Sequence, residues 1–351
     1  MRDKKFRKSI AISSFAVLCF TGFVNSSRLY ATTVETPIIK TVKTGSNNTL
    51  NEDKMKYYQK KIGDDYKFIS NKGKSGSFAT AYKLEDKSGN EFVLKISNRP
   101  ENSENWVQQQ KEAYKKIKKY YKDYHGELKI TNYVKFGDDF VIEEYLGEMV
   151  DFSKDYIKSN IESFVNGMAE FLNYTHKYEK SLVAPTKFIL LKESFDYLNE
   201  AGALNDEDKE MLSKLINKFE SRDISDEVTA LIHTDIRFQN IVYNPKTQKF
   251  ALIDFDSLST DFNIYYSFTS RTIGSCGIPY EFISKIVDKY DEKSNLKVNK
   301  EKIKMMHQLG TMQEQCMCAK YRNHISNECI KDELWPKLKI IFKNIDKAFE
   351  N

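Results

Sequence analysis

A chain of 351 residues, 40% of them hydrophobic and 13% aromatic, can bury a sizeable core and is long enough for two domains or one two-lobed enzyme. That excludes a disordered protein. The formal charge of +5 looks basic, but residues 1–31 hold six Lys or Arg against the single acid Asp3, so the rest is near neutral and gives no support to nucleic acid or an anionic surface as partner.

The first 31 residues read as an address. MRDKKFRKS is a positive leader, and Ile10 to Val24 is an apolar run too short for a comfortable membrane span. The expectation is a signal peptide and a secreted or cell-surface protein, with cleavage after Ser26 or after Ala31. An uncleaved anchor is the alternative, and the only route by which a membrane enters this reading. Residues 32–54, rich in Thr, Lys and Asn and without apolar periodicity, are expected as a flexible tether.

From Tyr66 the chain alternates as strands do. DYKFISNKG, ATAYKLED and EFVLKIS form an antiparallel start, with a turn at Lys87 to Asn90. The stretch GKSGSF carries Gly73 and Gly76, which let backbone N–H groups approach phosphate oxygens; a plain hairpin turn explains it equally. Lys95 lies among apolar strand residues, where an uncompensated ammonium is costly. Such a lysine either finds an anion or snorkels to solvent from the strand end, with Glu112, seventeen residues on in the helix ENWVQQQKEAYKKIKKYYKDY, then on a solvated face. LKITNYVKFGDD and FVIEEYLGE complete five strands, and Glu144-Tyr145-Leu146-Gly147 leaves them.

After Val150 the period becomes helical. Phe164, Met168, Phe171 and Leu172 share a face that ends at His176, read as a packed helix-end residue. Further amphipathic helices run from Phe188 to Phe219, interrupted by Ala201-Gly202-Ala203. Then comes LIHTDIRFQNIVYNPKTQKFALIDFDS, from Leu231 to Ser257. Asn240 ends the HTDIRFQN stretch, a strand follows it, a turn at Asn244 to Thr247 reverses the chain, and a second strand delivers Asp254. Asp235, Asn240 and Asp254 thus converge where hard cations and phosphates would sit. Tyr280, Phe282, Ile283, Ile286 and Val287 make one later helical stripe, and Met305, Met306, Leu309, Met312 and Cys316 another. Cys276, Cys316, Cys318 and Cys329 form disulfides in an exported protein, or stay reduced and buried; zinc is a third option.

HTDIRFQN with IDFD resembles the protein-kinase-like superfamily, whose catalytic loop reads His-x-Asp-x-x-x-x-Asn and whose metal-binding Asp opens an Asp-Phe-x turn. Its form is more similar to the aminoglycoside and choline kinase branch than to the eukaryotic protein kinases. The resemblance implies an α+β, bilobal protein-kinase-like fold, with a small antiparallel β lobe and one main helix in residues 55–147 and a larger mainly α lobe in 148–351. It implies ATP and Mg2+ as cofactors. Asp235 would accept the substrate hydroxyl proton, Asn240 and Asp254 would hold the metal, and His233 would brace the loop. Arg237 is either a clamp on the transferring phosphate or a surface residue. Gly73, Gly76, Ser77 and Phe78 would meet the phosphates, the Lys95–Glu112 pair would anchor them, and Glu144, Tyr145 and Leu146 would line the adenine. The implied reaction moves the γ-phosphate of ATP to a hydroxyl of a small molecule or protein. A nucleotide-binding pseudokinase scaffold is one alternative, since Lys74 and Ala79 stand where the family has glycine; transfer of AMP is another. Asp256, Asp261, Glu281, Asp288 and Asp291 either offer a basic acceptor an acidic cleft or are ordinary helix surface. The number of subunits is left open.

Overall fold

A computed structural model describes residues 47–76, 78–151, 154–177, 189–221, 229–268, 280–300, 303–304, 307 and 327–350. Residues 1–31, expected as a signal peptide, lie outside these residues, as do Ser77, Cys276, Cys316, Cys318, the Met305–Cys316 stripe and the side chain of Cys329. The chain forms two compact units. One takes the described residues up to Lys122 together with Ile130–Gly147; the other takes Asp123–Lys129 and the described residues from Glu148 on.

The first unit is a seven-stranded antiparallel sheet with two helices. Its strands are β1 (Asn47–Thr49), β2 (Tyr66–Phe68), β3 (Lys72–Ser75), β4 (Ala79–Asp86), β5 (Glu91–Ser97), β6 (Tyr133–Phe136) and β7 (Phe140–Glu144). They run in the order β1-β3-β4-β5-β7-β6, with β2 also paired to β4. The stretch DYKFISNKG, expected as one strand, is thus two short ones, and β1 is an addition. Strand alternation divides the side chains between the two faces. Tyr82, Leu84, Leu94, Ile96, Phe140 and Ile142 are buried in one cluster with Leu50, Tyr58 and Ile62.

Tyr58 and Ile62 belong to α1 (Glu52–Ile62), whose first residues fall inside the stretch expected as tether. The correction has a local cause. Asn51 caps the helix by accepting from the Lys54 N–H at 2.9 Å, and Glu52 and Asp53 suit its positive end. Tyr58 donates to Asp139 at 2.9 Å, Lys61 pairs with the same carboxylate at 3.0 Å, and Lys135 donates to the Ile62 carbonyl at 2.9 Å. The helix is fastened at its C-terminal half by groups from the β6–β7 hairpin. The second helix, α2 (Ser103–Tyr120), buries Trp106, Val107, Gln110, Ala113 and Ile117.

The second unit is mainly helical. Its α3 (Ile161–His176) buries Phe164, Met168, Phe171 and Leu172, the face expected from their spacing. Helices α4 (Ile189–Glu200) and α5 (Asp206–Ser221) are joined through Gly202, whose φ of 68° suits a residue without Cβ. Leu198, Leu212 and Leu215 share a core cluster with Trp335, Leu338 and Phe342. The last three lie on the final helix, Trp335–Glu350, and the indole N–H of Trp335 donates to Asp208 at 2.8 Å. The hairpin of β8 (Ile241–Asn244) and β9 (Lys249–Leu252) turns on Asn244, whose side chain accepts from the Lys246 N–H at 3.0 Å. Helix α6 (Tyr280–Lys293) buries Phe282, Ile283, Ile286, Val287 and Tyr290. Among the described residues no helix is long and apolar enough to cross a membrane.

Candidate functional site

In the first unit the sheet presents Lys95. It lies opposite Val141 in the β5–β7 ladder, so Glu143, two residues further on, is its diagonal neighbour on the same face. Lys95 Nζ and Glu143 Oε1 are 2.5 Å apart, with side chains 14% and 3% exposed. Thr131 donates its hydroxyl to the other carboxylate oxygen at 2.8 Å. Both oxygens of the buried glutamate are therefore engaged.

This corrects the expected pairing of Lys95 with Glu112. On α2 the residue at position 112 lies off the buried stripe, and Glu112 is half-exposed. Its carboxylate pairs with Lys115 at 2.8 Å and accepts from Gln108 at 2.9 Å, which holds its pKa below the usual value, the Lys115 contact first among the causes. The buried polar side chain of that helix is Gln110, which accepts from the Tyr133 hydroxyl at 2.9 Å.

The glycine stretch forms the end of β3 and the turn after it. Gly73 lies in β3, where an added Cβ would stand 2.4 Å from the Tyr82 ring and 2.6 Å from the Thr80 methyl. Its missing side chain makes room for packing. Gly76 donates its N–H to the Ala79 carbonyl at 2.8 Å, closing the turn at whose far side Phe78 sits. Beyond β7, Glu144 is exposed, and its N–H donates to the Asn132 carbonyl at 2.9 Å. The N–H of Tyr145 donates to the Glu91 carbonyl at 3.2 Å, and Lys83 Nζ lies 4.0 Å from the centre of the half-buried Tyr145 ring. Leu146 is half-buried beside it.

In the second unit Asp235, Arg237, Asn240 and Asp254 are held by one loop and one hairpin. The strand Thr229–His233 runs antiparallel to the strand Leu258–Asn263, with His233 opposite Leu258. Past the strand, Thr234 still donates its hydroxyl to the Ser257 carbonyl at 2.9 Å. The loop then folds on Asp235. Asn240 Nδ2 donates to the Asp235 carbonyl at 2.9 Å and to its Oδ2 at 3.0 Å, while Arg237 Nε lies 2.5 Å from Oδ1. Arg237 and Asp235 are 11% and 15% exposed, so Arg237 is a partner of the carboxylate and not a surface residue.

The hairpin places Asp254. Ile241 lies opposite Leu252, and Ile253 donates its N–H to the Asn240 carbonyl at 3.0 Å, which makes Asp254 the next residue along. Its φ of 67° and ψ of 55° put it in the left-handed region, which Asp adopts at a cost when its surroundings demand it. The demand comes from Phe255, fully buried with its ring edge-on to Phe171 and 4.7 Å from His233.

His233 is the brace the sequence suggests. Nδ1 accepts from the Asp235 N–H at 3.2 Å, and Nε2 donates to the Ile253 carbonyl at 3.3 Å, so the loop and the hairpin are tied through one neutral imidazole. Burial holds its pKa below the ordinary value against the opposing pull of Asp235 and Asp254. His176 is likewise a packed group. It is buried between the Tyr290 hydroxyl at 2.8 Å and Ser267 Oγ at 3.0 Å, and burial pushes it down to about 3.

Both imidazoles are kept neutral in the folded chain but protonate near pH 6.5 when unfolded. Their stabilising contribution is complete above that pH and is lost as pH falls toward the depressed folded values. Unfolding free energy is expected to fall by about 1.4 kcal/mol per pH unit for each proton taken up. Urea denaturation at a series of pH values checks this, and His176→Gln should flatten the slope between pH 6 and about 4.

The donor set suits a hard cation. Asp254 supplies a carboxylate, and the amide NH2 of Asn240 is directed at Asp235, which leaves its oxygen as the atom for a metal. Among the described residues no group of three or more His, Cys, Asp or Glu gathers for a metal ion. Of the five acids read as either a cleft or ordinary helix surface, three are described. Asp288 pairs with Lys300, and Asp291 accepts from the Val298 N–H at 3.3 Å; Asp256 is exposed. The side chains of Asp261 and Glu281 lie outside the described residues.

No family model matches the sequence, and no curated protein matches it in sequence. Solved structures do match in fold. The chain is similar to the ADP-bound aminoglycoside phosphotransferase APH(2'')-Ib, at 17% identity and a TM-score of 0.55, over 86% of this chain and 99% of that one. It is similar to the APH(2")-IIa ternary complex with streptomycin and ATP, at 17% identity and a TM-score of 0.52, over 87% and 97%. A macrolide 2'-phosphotransferase type I follows at 12% identity and a TM-score of 0.51, over 85% and 98%. The chain therefore has the bilobal kinase-like fold of the small-molecule phosphotransferases.

Proposed function

We propose that this chain is an ATP- and magnesium-dependent phosphotransferase that moves the γ-phosphate of ATP to a hydroxyl group of a small molecule. The observation that carries the reading is the loop in which Asp235 is gripped on both carboxylate oxygens, by Arg237 and Asn240, with Asp254 delivered by the adjoining hairpin. The fold is that of proteins whose structures hold ADP, ATP or streptomycin, which favours a nucleotide and a small acceptor over a protein acceptor.

Each group has a chemical task. Asp235, oriented by Arg237 and Asn240, takes the proton of the attacking hydroxyl. Arg237 keeps that carboxylate in place and adds positive charge where negative charge develops. Lys95, itself oriented by Glu143, is the cation for the nucleotide phosphates. Asn240 and Asp254 would hold the magnesium, which when bound neutralises phosphate charge. Positioning and charge carry such reactions, and the chain supplies both.

The test is transfer of label from γ-labelled ATP to a panel of aminoglycosides, a macrolide, amino alcohols and a protein mixture, with products weighed by mass spectrometry. A small molecule heavier by one phosphate supports the reading, and an AMP adduct replaces it with nucleotide transfer. ATP binding without any product across the panel leaves the scaffold reading in its place. Export is a further part of the proposal, supported by the basic and then apolar leader. Fractionation of the producing cells should find the mature chain outside the membrane and shortened at its N-terminus; a full-length chain in the cytosol would sink that part alone.

A further inference from the structure

The turn that carries Gly76 and Phe78 is held from outside by a residue absent from every motif considered above. Asn98 follows directly after β5, the strand of Lys95. Its side-chain amide donates to the Gly76 carbonyl at 2.8 Å, and its backbone N–H donates to the Phe78 carbonyl at 2.7 Å. The two bonds hold the carbonyls of Gly76 and Phe78. Arg99 adds a third hold, its guanidinium 5.2 Å from the centre of the Phe78 ring.

Asn98 is itself held. Thr80, buried at the start of β4, donates its hydroxyl to Asn98 Oδ1 at 2.6 Å, and Asn48 of β1 donates its amide to Thr80 Oγ1 at 3.3 Å. Donor follows donor from β1 through Thr80 and Asn98 to the carbonyl of Gly76, and each bond polarises the next. An asparagine is required at the end of this chain because one side chain must accept from a hydroxyl and donate to a carbonyl.

We infer that Asn98 is the positioning residue that sets the turn at Gly76 and Phe78, and through it the hold of the first unit on nucleotide phosphates. This rests on the nucleotide-binding reading above. Asn98→Asp keeps the acceptor for Thr80 and removes the donor to Gly76 but adds a negative charge, so it is read beside the neutral Asn98→Ala and against amide exchange in the ligand-free protein, where no phosphate is present. Asn98 is exposed, so the variant takes nothing out of the core.

The expected result is a loss of affinity for a non-hydrolysable ATP analogue of about fivefold, the value of roughly one net hydrogen bond. The Michaelis constant for ATP should rise by the same factor with kcat at saturating ATP little changed. In the ligand-free protein, the Gly76 amide should exchange its hydrogen faster while amides in the middle of β4 and β5 keep their rates. Asn98→Ala, which removes both side-chain bonds without adding charge, should also weaken the affinity and speed exchange at Gly76. Parental affinity and parental exchange at Gly76 in both variants would overturn the inference and leave the phosphotransferase reading standing. A parent chain that binds no ATP analogue would overturn both.

Discussion

Asp235→Ala is expected to lower kcat for phosphoryl transfer by two to four orders of magnitude, roughly the range for removing a positioned general base. The loss should fall on kcat and leave the Michaelis constant for ATP near the parental value, because the residues assigned to the nucleotide lie elsewhere in the chain. Two further effects complicate the alanine. Arg237 would lose the carboxylate beside its guanidinium at 11% exposure, and Asn240 would lose one of its two acceptors on Asp235. Asp235→Asn separates these from the chemistry, since it preserves volume and an oxygen while removing basicity. Measured side by side, both variants should be inactive, with the asparagine variant closer to the parent in urea midpoint. A kcat within a few-fold of the parent in both would remove Asp235 from the mechanism.

Glu143→Ala should destabilise the chain by about 3 kcal/mol, as expected when one partner of a buried ion pair is removed and the other charge is left in place. The estimate rests on geometry. Lys95 and Glu143 are both largely buried, and the second oxygen of Glu143 serves the Thr131 hydroxyl. Glu143→Gln should cost less, because an amide can still offer its oxygen to Lys95 and meet the threonine hydroxyl with its NH2. Glu112→Gln is the control. Its carboxylate lies in solvent with Lys115 and Gln108, so the urea midpoint should not move. If Glu112→Gln were the destabilising change and Glu143→Ala the silent one, the pairing described for Lys95 would be wrong. The same variants carry a functional consequence: Glu143 is a buried partner that helps orient Lys95, so the affinity for ATP should fall along with stability.

How far the sequence could be read follows from which interactions are local. The loop from His233 to Asn240 and the hairpin to Asp254 were legible because their spacing is short and their turn residues are specific. The helical faces of Phe164 to Leu172 and Phe282 to Val287 were legible for the same reason, periodicity within one element. The partner of Lys95 was not. Choosing Glu143 over Glu112 requires knowing that β5 pairs with β7 across an intervening helix, and in what register, and a shift of one residue would have pointed the glutamate to the other face. Asn98 escaped for a similar reason, since its partners Gly76 and Phe78 lie in the turn before β4 and Thr80 lies in β4 itself, all distant in sequence. The first helix is a different case. Leu50-Asn51-Glu52-Asp53 is a helix-start signal that was open to reading, with an Asx cap and acids in the first turn, but the polar stretch before it drew the boundary too late. The packing role of Gly73 could not be read, because a glycine that makes room for a ring and one that admits a phosphate look alike in sequence.

The three residues of β1 bear on solubility. A sheet edge offers unpaired N–H and C=O groups to any extended chain that passes, and long apolar edges recruit copies of themselves. Here the border of the sheet beyond β3 is Asn-Asn-Thr, short and polar, with Asn48 and Thr49 exposed. A second molecule laid against it would find few rungs to bond and no apolar side chains to bury. The poverty of hydrophobic pattern that made this stretch look like a tether is what fits it to end the sheet.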